Sequence, residues 1–114
     1  MKKDAVFFLG HILESIGLIE RYISGVSEED FLSDIGIQDK VIRRLSVIGE
    51  AASQIPKDIR AAYPETKWRE IVGMRNFLVH EYFGVATNEV WLTLKRDIPE
   101  LKGQIERMRD AIIG

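Results

Sequence analysis

The chain has 114 residues, 46% hydrophobic and 30% charged, which is the length and composition of one globular domain. A collagen-like repeat, a disordered polyampholyte and a two-domain enzyme are thereby excluded. With 18 acidic and 16 basic residues the net charge is −2, so the chain is no polycation, and taken alone that argues against nucleic acid as a partner.

Without cysteine there is no disulfide framework, thiolate metal site or thiol nucleophile, a composition that suits a reducing cytoplasm. The apolar run Ala5 to Leu9 is far too short to span a bilayer. The expectation is a cytoplasmic protein with no targeting segment and no membrane association, forming a single domain over residues 1–114.

Apolar residues at alternating spacings of three and four mark one face of a helix. The first such stripe is Ala5, Leu9, Ile12, Ile16, Ile19 and Ile23, a long helix ending near Gly25. Ser27, followed by Glu28, Glu29 and Asp30, reads as an N-cap with an acidic first turn for a short helix carrying Phe31 and Leu32, which Gly36 is expected to end. The second long stripe is Val41, Leu45, Ile48, Ala52 and Ile55, stopped by Pro56, and a short helical turn precedes Pro64. Thr66 is the expected cap of a third long helix with the stripe Trp68, Ile71, Arg75, Leu78 and Tyr82, leaving at Gly84. The last helix, capped at Thr87, keeps one phase through Trp91, Leu94, Ile98, Leu101, Ile105, Met108 and Ile112. An unbroken phase predicts one long helix bent at Pro99 rather than two helices.

No segment alternates strictly or clusters β-branched residues between tight turns. The predicted architecture is all-α, a four-helix bundle with short connecting helices. Phe7, Phe8, Leu13, Val47, Val72 and Val79 lie outside the main stripes, more apolar surface than one small bundle covers, which points to a self-associating face and a homodimer.

The polar residues of interest lie in the third helix. Arg75 takes a stripe position between Ile71 and Leu78, where a permanent charge needs either a carboxylate partner or an anion. Asn76 and His80 are four residues apart and share a helix face. His11 has no comparable polar company and reads as structural. The segment from Arg75 to Tyr82 has the form Arg, four residues, His, one residue, Tyr. With nine Arg, two His and three Tyr in the chain, only about 0.004 such matches arise by chance.

On this motif the chain resembles the HepT-like toxins of the HEPN superfamily, along essentially its whole length. The resemblance includes the segment Trp68-Arg69-Glu70-Ile71-Val72-Gly73-Met74 before the motif and Asn88-Glu89-Val90-Trp91 after it. It implies a HEPN-like helical domain and a metal-independent ribonuclease needing no cofactor, with Arg75 and His80 as the catalytic pair. It also implies a type VII-like toxin–antitoxin system, in which a nucleotidyltransferase antitoxin attaches AMP to the motif tyrosine, Tyr82.

The residue types suit that chemistry. RNA carries its own nucleophile, the 2′-hydroxyl, so cleavage needs a proton-transfer group and a cation for the charge that gathers on phosphorus. An imidazole titrates at about pH 6.5 and serves as base or acid near neutrality; a guanidinium holds two phosphate oxygens in one plane. His80 and Arg75 fill those roles, with Asn76 supporting by orienting the imidazole or the phosphate. The products are a 2′,3′-cyclic phosphate and a 5′-hydroxyl, from messenger RNA or tRNA. The second reading is a non-catalytic helical partner that binds nucleotide or presents Tyr82 to a nucleotidyltransferase, and the third a structural helical dimer with a vestigial motif. Two distant histidines without carboxylates at ligand spacing make no metal site, and no Gly-rich loop precedes a helix.

Five residues turn an ideal helix so that Arg75 and His80 stand about 140° apart. Either the helix distorts before Gly84 or a second copy of the motif completes the site across a two-fold axis. Tyr82, seven residues from Arg75, shares its face if the helix continues, so AMP on Tyr82 sets negative charge and bulk beside Arg75.

The charge is uneven. Residues 1–39 carry three basic and eight acidic side chains, a balance of −5, while residues 40–75 carry eight and four, a balance of +4. Lys40, Arg43, Arg44, Lys57, Arg60, Lys67, Arg69 and Arg75 supply the excess, an RNA footprint if they converge and a solvated helix face if they do not.

Overall fold

The computed structural model describes residues 2–76 and 87–114, and every described element is helical. In chain order these are α1 (Lys2–Ile23), α2 (Glu28–Ser33), α3 (Ile35–Ser53), α4 (Lys57–Ala62) and α5 (Trp68–Gly73), followed by a 3₁₀ turn (Met74–Asn76). After the segment 77–86 come α6 (Thr87–Leu92), a π-helical turn (Thr93–Asp97) and α7 (Ile98–Ile113).

The amphipathic stripes are the core. Ala5, Leu9, Ile12, Ile16 and Ile19 of α1 are fully buried, as are Val41, Leu45, Ile48 and Ala52 of α3. Leu94, Ile98, Leu101, Ile105 and Met108 close the same cluster from the last helical run. α1 lies between α3 and α7, and each buried aliphatic side chain contributes roughly 1.5–3 kcal/mol of transfer free energy. Phe31 of α2 is buried with its ring 5.2 Å from that of Trp91, tying α2 to α6. The side-chain amide of Gln38, also buried, donates to the Phe31 carbonyl at 2.8 Å. An ion pair joins α7 to α1: Lys102 Nζ stands 3.0 Å from both oxygens of Glu20.

Several boundaries follow the local signals. Gly25 has φ +73, the left-handed conformation that stops α1. Ser27 caps α2, its Oγ accepting from the amide of Asp30 at 3.1 Å.

Others correct the sequence reading. Gly36 does not end the short helix but lies inside α3. Asp34 is the junction: its amide donates to the Phe31 carbonyl while its carboxylate accepts from the amide of Ile37. That cap starts α3 at Ile35, ahead of the apolar stripe. Thr66 does not cap α5 either. Lys67 stands at the N-cap, while Thr66 is buried and its hydroxyl has no hydrogen-bond partner among the described residues.

The expected irregularity at Pro99 takes the form of the π-helical turn just before it. A proline has no amide to donate to the carbonyl four residues back, and its ring crowds that carbonyl. The amide of Ile98 reaches back five residues to Thr93, and the helical run continues to Ile113 with its apolar phase kept.

Candidate functional site

Six residues do not make a stable helix in water, so α5 depends on what it packs against. Ile71 and Met74 are buried against the core, and α3 is the main support of both α5 and the 3₁₀ turn. The turn also explains a correction. Regular α-helix from Ile71 would place Arg75 on the apolar stripe. Tightening to three residues per turn at Met74–Asn76 sends Met74 inward and leaves Arg75 and Asn76 exposed. Arg75 is therefore no buried structural cation, and among the described residues no carboxylate lies within ion-pair distance of it.

Although its side chain is free to reach solvent, the main chain of Arg75 is held tightly. Ser46 of α3 donates its hydroxyl to the Arg75 carbonyl at 3.0 Å. One turn along α3, a methyl on Gly49 would meet the Arg75 amide nitrogen and lie 2.9 Å from the Ile71 carbonyl oxygen. Only a residue without Cβ lets the two backbones approach so closely. The sequence reading missed both residues. An isolated glycine inside a strong helical stripe was the available signal, since it costs the helix about 1 kcal/mol against alanine and so calls for a packing reason.

Of the remaining motif residues, His80 and Tyr82 lie outside the described residues, as do Leu78, Val79 and Gly84. The described part of the third helix distorts at Arg75 itself. The registers from Arg75 to His80 and to Tyr82 run through residues 77–86 and lie outside the described residues.

Beside Met74 a groove of about 530 Å³ opens between α5 and the π-helical turn with α7. Ile71, Met74 and Leu101 form its apolar part, while the carboxylates of Glu65, Glu70, Asp97 and Glu100 outnumber the cations of Lys67 and Arg96. This groove repels a phosphate backbone. The basic residues of 40–75 do not converge on it. Lys40 and Arg43 are exposed on α3, where Lys40 lies 5.6 Å from the centre of the Tyr22 ring. Arg43 precedes Ser46 by one helical turn, which puts it on the side of α3 that holds Arg75. Lys57 and Arg69 are exposed elsewhere, and Arg60 is half-buried. Arg44 is half-buried on α3 and Lys67 alone of the eight lines the groove, so the eight do not form one described patch.

Among the described residues no three His, Asp or Glu side chains are grouped as metal ligands, and no helix is long and apolar enough to cross a membrane.

The family described as "Ribonuclease HepT-like" matches residues 12–108. A protein of Thermococcus cleftensis named "Probable ribonuclease HepT" is 46% identical over 109 residues, 96% of this chain and 99% of that protein. A "Gamma-glutamylcyclotransferase and putative RNase" of Methanocaldococcus jannaschii is 42% identical over 98% of this chain, which spans 50% of that longer protein. A "Putative RNase" of the same organism is also 42% identical, covering 99% of this chain and 93% of its own. No solved structure matches the chain.

Proposed function

The chain belongs to the ribonuclease HepT-like family, and from that premise we propose that it is a metal-independent endoribonuclease, the toxin of a type VII-like toxin–antitoxin pair. The observation that carries this reading is the complete Arg75-x4-His80-x-Tyr82 motif in a chain whose Arg75 is solvent-facing, unpaired among the described residues and held by its main chain. A permanent cation so held is prepared for an anion that arrives from solution.

In the proposed reaction His80 removes the proton from a ribose 2′-hydroxyl as the 2′-oxygen attacks the adjacent phosphorus. Arg75 binds two non-bridging oxygens and stabilises the charge of the phosphorane. The P–O5′ bond breaks, the 5′-oxygen takes the proton that His80 has gained, directly or through water, and the products are a 2′,3′-cyclic phosphate and a 5′-hydroxyl. Asn76, exposed next to Arg75, orients the imidazole or the phosphate.

The active form in this proposal is a homodimer in the cytoplasm. The substrate is RNA, messenger or transfer. The partner is a nucleotidyltransferase antitoxin that silences the toxin by transferring AMP to Tyr82, setting a negative charge near the phosphate site. End-group analysis tests the reaction type: fragments made in EDTA are expected to end in 2′,3′-cyclic phosphate, and fragments with 5′-phosphate ends would contradict it.

A further inference from the structure

We propose that Ser46 and Gly49 of α3 are positioning residues for Arg75, fixing the place from which its guanidinium meets the scissile phosphate. This assignment rests on the ribonuclease reading above.

Arg75 stands in a 3₁₀ turn after a six-residue helix, and α3 packs against both. Ser46, 29 positions away in the chain, donates its hydroxyl to the Arg75 carbonyl, with Oγ 3.0 Å from that oxygen. Gly49 stands three residues after Ser46, on the same side of α3, and its missing Cβ makes room for the Arg75 amide nitrogen. The peptide units on both sides of the Arg75 Cα are therefore located by α3, whose adjoining face is the fully buried stripe of Val41, Leu45 and Ile48.

The consequence is a fixed origin for a flexible side chain. Arginine reaches a phosphate through four rotatable bonds, and a clamp on developing charge tolerates displacements of only about 0.5 Å. A main chain free to shift by about 1 Å costs on the order of a hundredfold in rate. α3 removes that freedom without touching the substrate.

The test compares Ser46→Ala, Ser46→Thr and Gly49→Ala with the wild type in steady-state cleavage of a labelled RNA, alongside the 13C′ resonance of Arg75 and the melting temperature. Ser46→Ala is expected to lower kcat about tenfold with KM changed less than twofold, and to move the Arg75 13C′ resonance. Ser46→Thr keeps the hydroxyl and restores both. Gly49→Ala is expected to lose about a hundredfold or more in kcat, and if it does not fold the Ser46 pair carries the test alone. Wild-type kcat and an unmoved Arg75 resonance in Ser46→Ala overturn the proposal. A wild type that leaves RNA intact contradicts the ribonuclease reading instead, and the resonance still decides whether Ser46 holds Arg75.

Discussion

The Ser46 hydroxyl and the Arg75 carbonyl, 3.0 Å apart, join the middle of α3 to the turn that carries the candidate site. Because α3 is also packed on α1, the position of Arg75 is a property of the core rather than of the turn. A fault in the core is therefore expected to reach the site through α3, whereas a change at the tip of the Arg75 side chain is not expected to reach the core.

Ile48 is the clearest place to test the first half of that statement. It is fully buried on α3 between Ser46 and Gly49. Ile48→Ala is expected to cost about 2–5 kcal/mol, the usual range for truncating a buried isoleucine. Chemical denaturation checks it, and a loss under about 1 kcal/mol would show that the α1–α3 seam is not the tightly packed layer described.

Arg75→Ala tests the second half. The side chain is exposed and has no ion pair among the described residues, so the variant is expected to keep its stability to within about 0.5 kcal/mol. A drop of several kcal/mol in the same denaturation experiment would return Arg75 to a structural role.

Much of this was legible in the sequence, and the reason is periodicity. The stripes of α1, α3 and the last run name the buried residues almost one by one, because a helix that buries one face must repeat its apolar residues at that spacing. The proline irregularity was legible as well, since the apolar phase runs through Pro99. What failed was local. At Asp34 and Lys67 the caps were decided by one hydrogen bond or its absence, and competing cap residues stood within two positions of each. At Arg75 the helix tightened by a fraction of a turn, which no periodicity of 3.6 can announce. Ser46 was not legible because its partner is a carbonyl 29 residues away, and a main-chain acceptor leaves no trace in the sequence.

Lys102 and Glu20 make an ion pair between distant elements, with side chains 40% and 48% exposed. At that exposure the pair is worth about 0.2–1 kcal/mol. Lys102→Ala is expected to shift the unfolding midpoint only slightly, and the difference from wild type should shrink further in high salt. A loss above about 2 kcal/mol would mean that the pair is effectively desolvated.

Arg43 is the exposed cation one turn from Ser46, on the side of α3 that holds Arg75. Under the ribonuclease reading it contacts a flanking phosphate. Arg43→Ala is expected to weaken RNA binding and to reduce the slope of log affinity against log salt by about 0.7, as for one lost contact to a single strand, with kcat unchanged. An unchanged slope would remove Arg43 from the RNA path.

Tyr82 is the proposed acceptor of AMP. Incubation with the partner nucleotidyltransferase and ATP is expected to add AMP mass to the wild type and none to Tyr82→Phe. Equal modification of the Phe variant would refute the assignment.

The central claim is that this chain cleaves RNA with Arg75 and His80. Its most direct measurement is cleavage of a labelled RNA in EDTA by purified wild type, Arg75→Ala and His80→Ala, each shown by its melting curve to be folded. The account predicts cleavage by the wild type and a loss of at least about a hundredfold in each variant. Full activity in either folded variant, or intact RNA with the unmodified wild type, would contradict it.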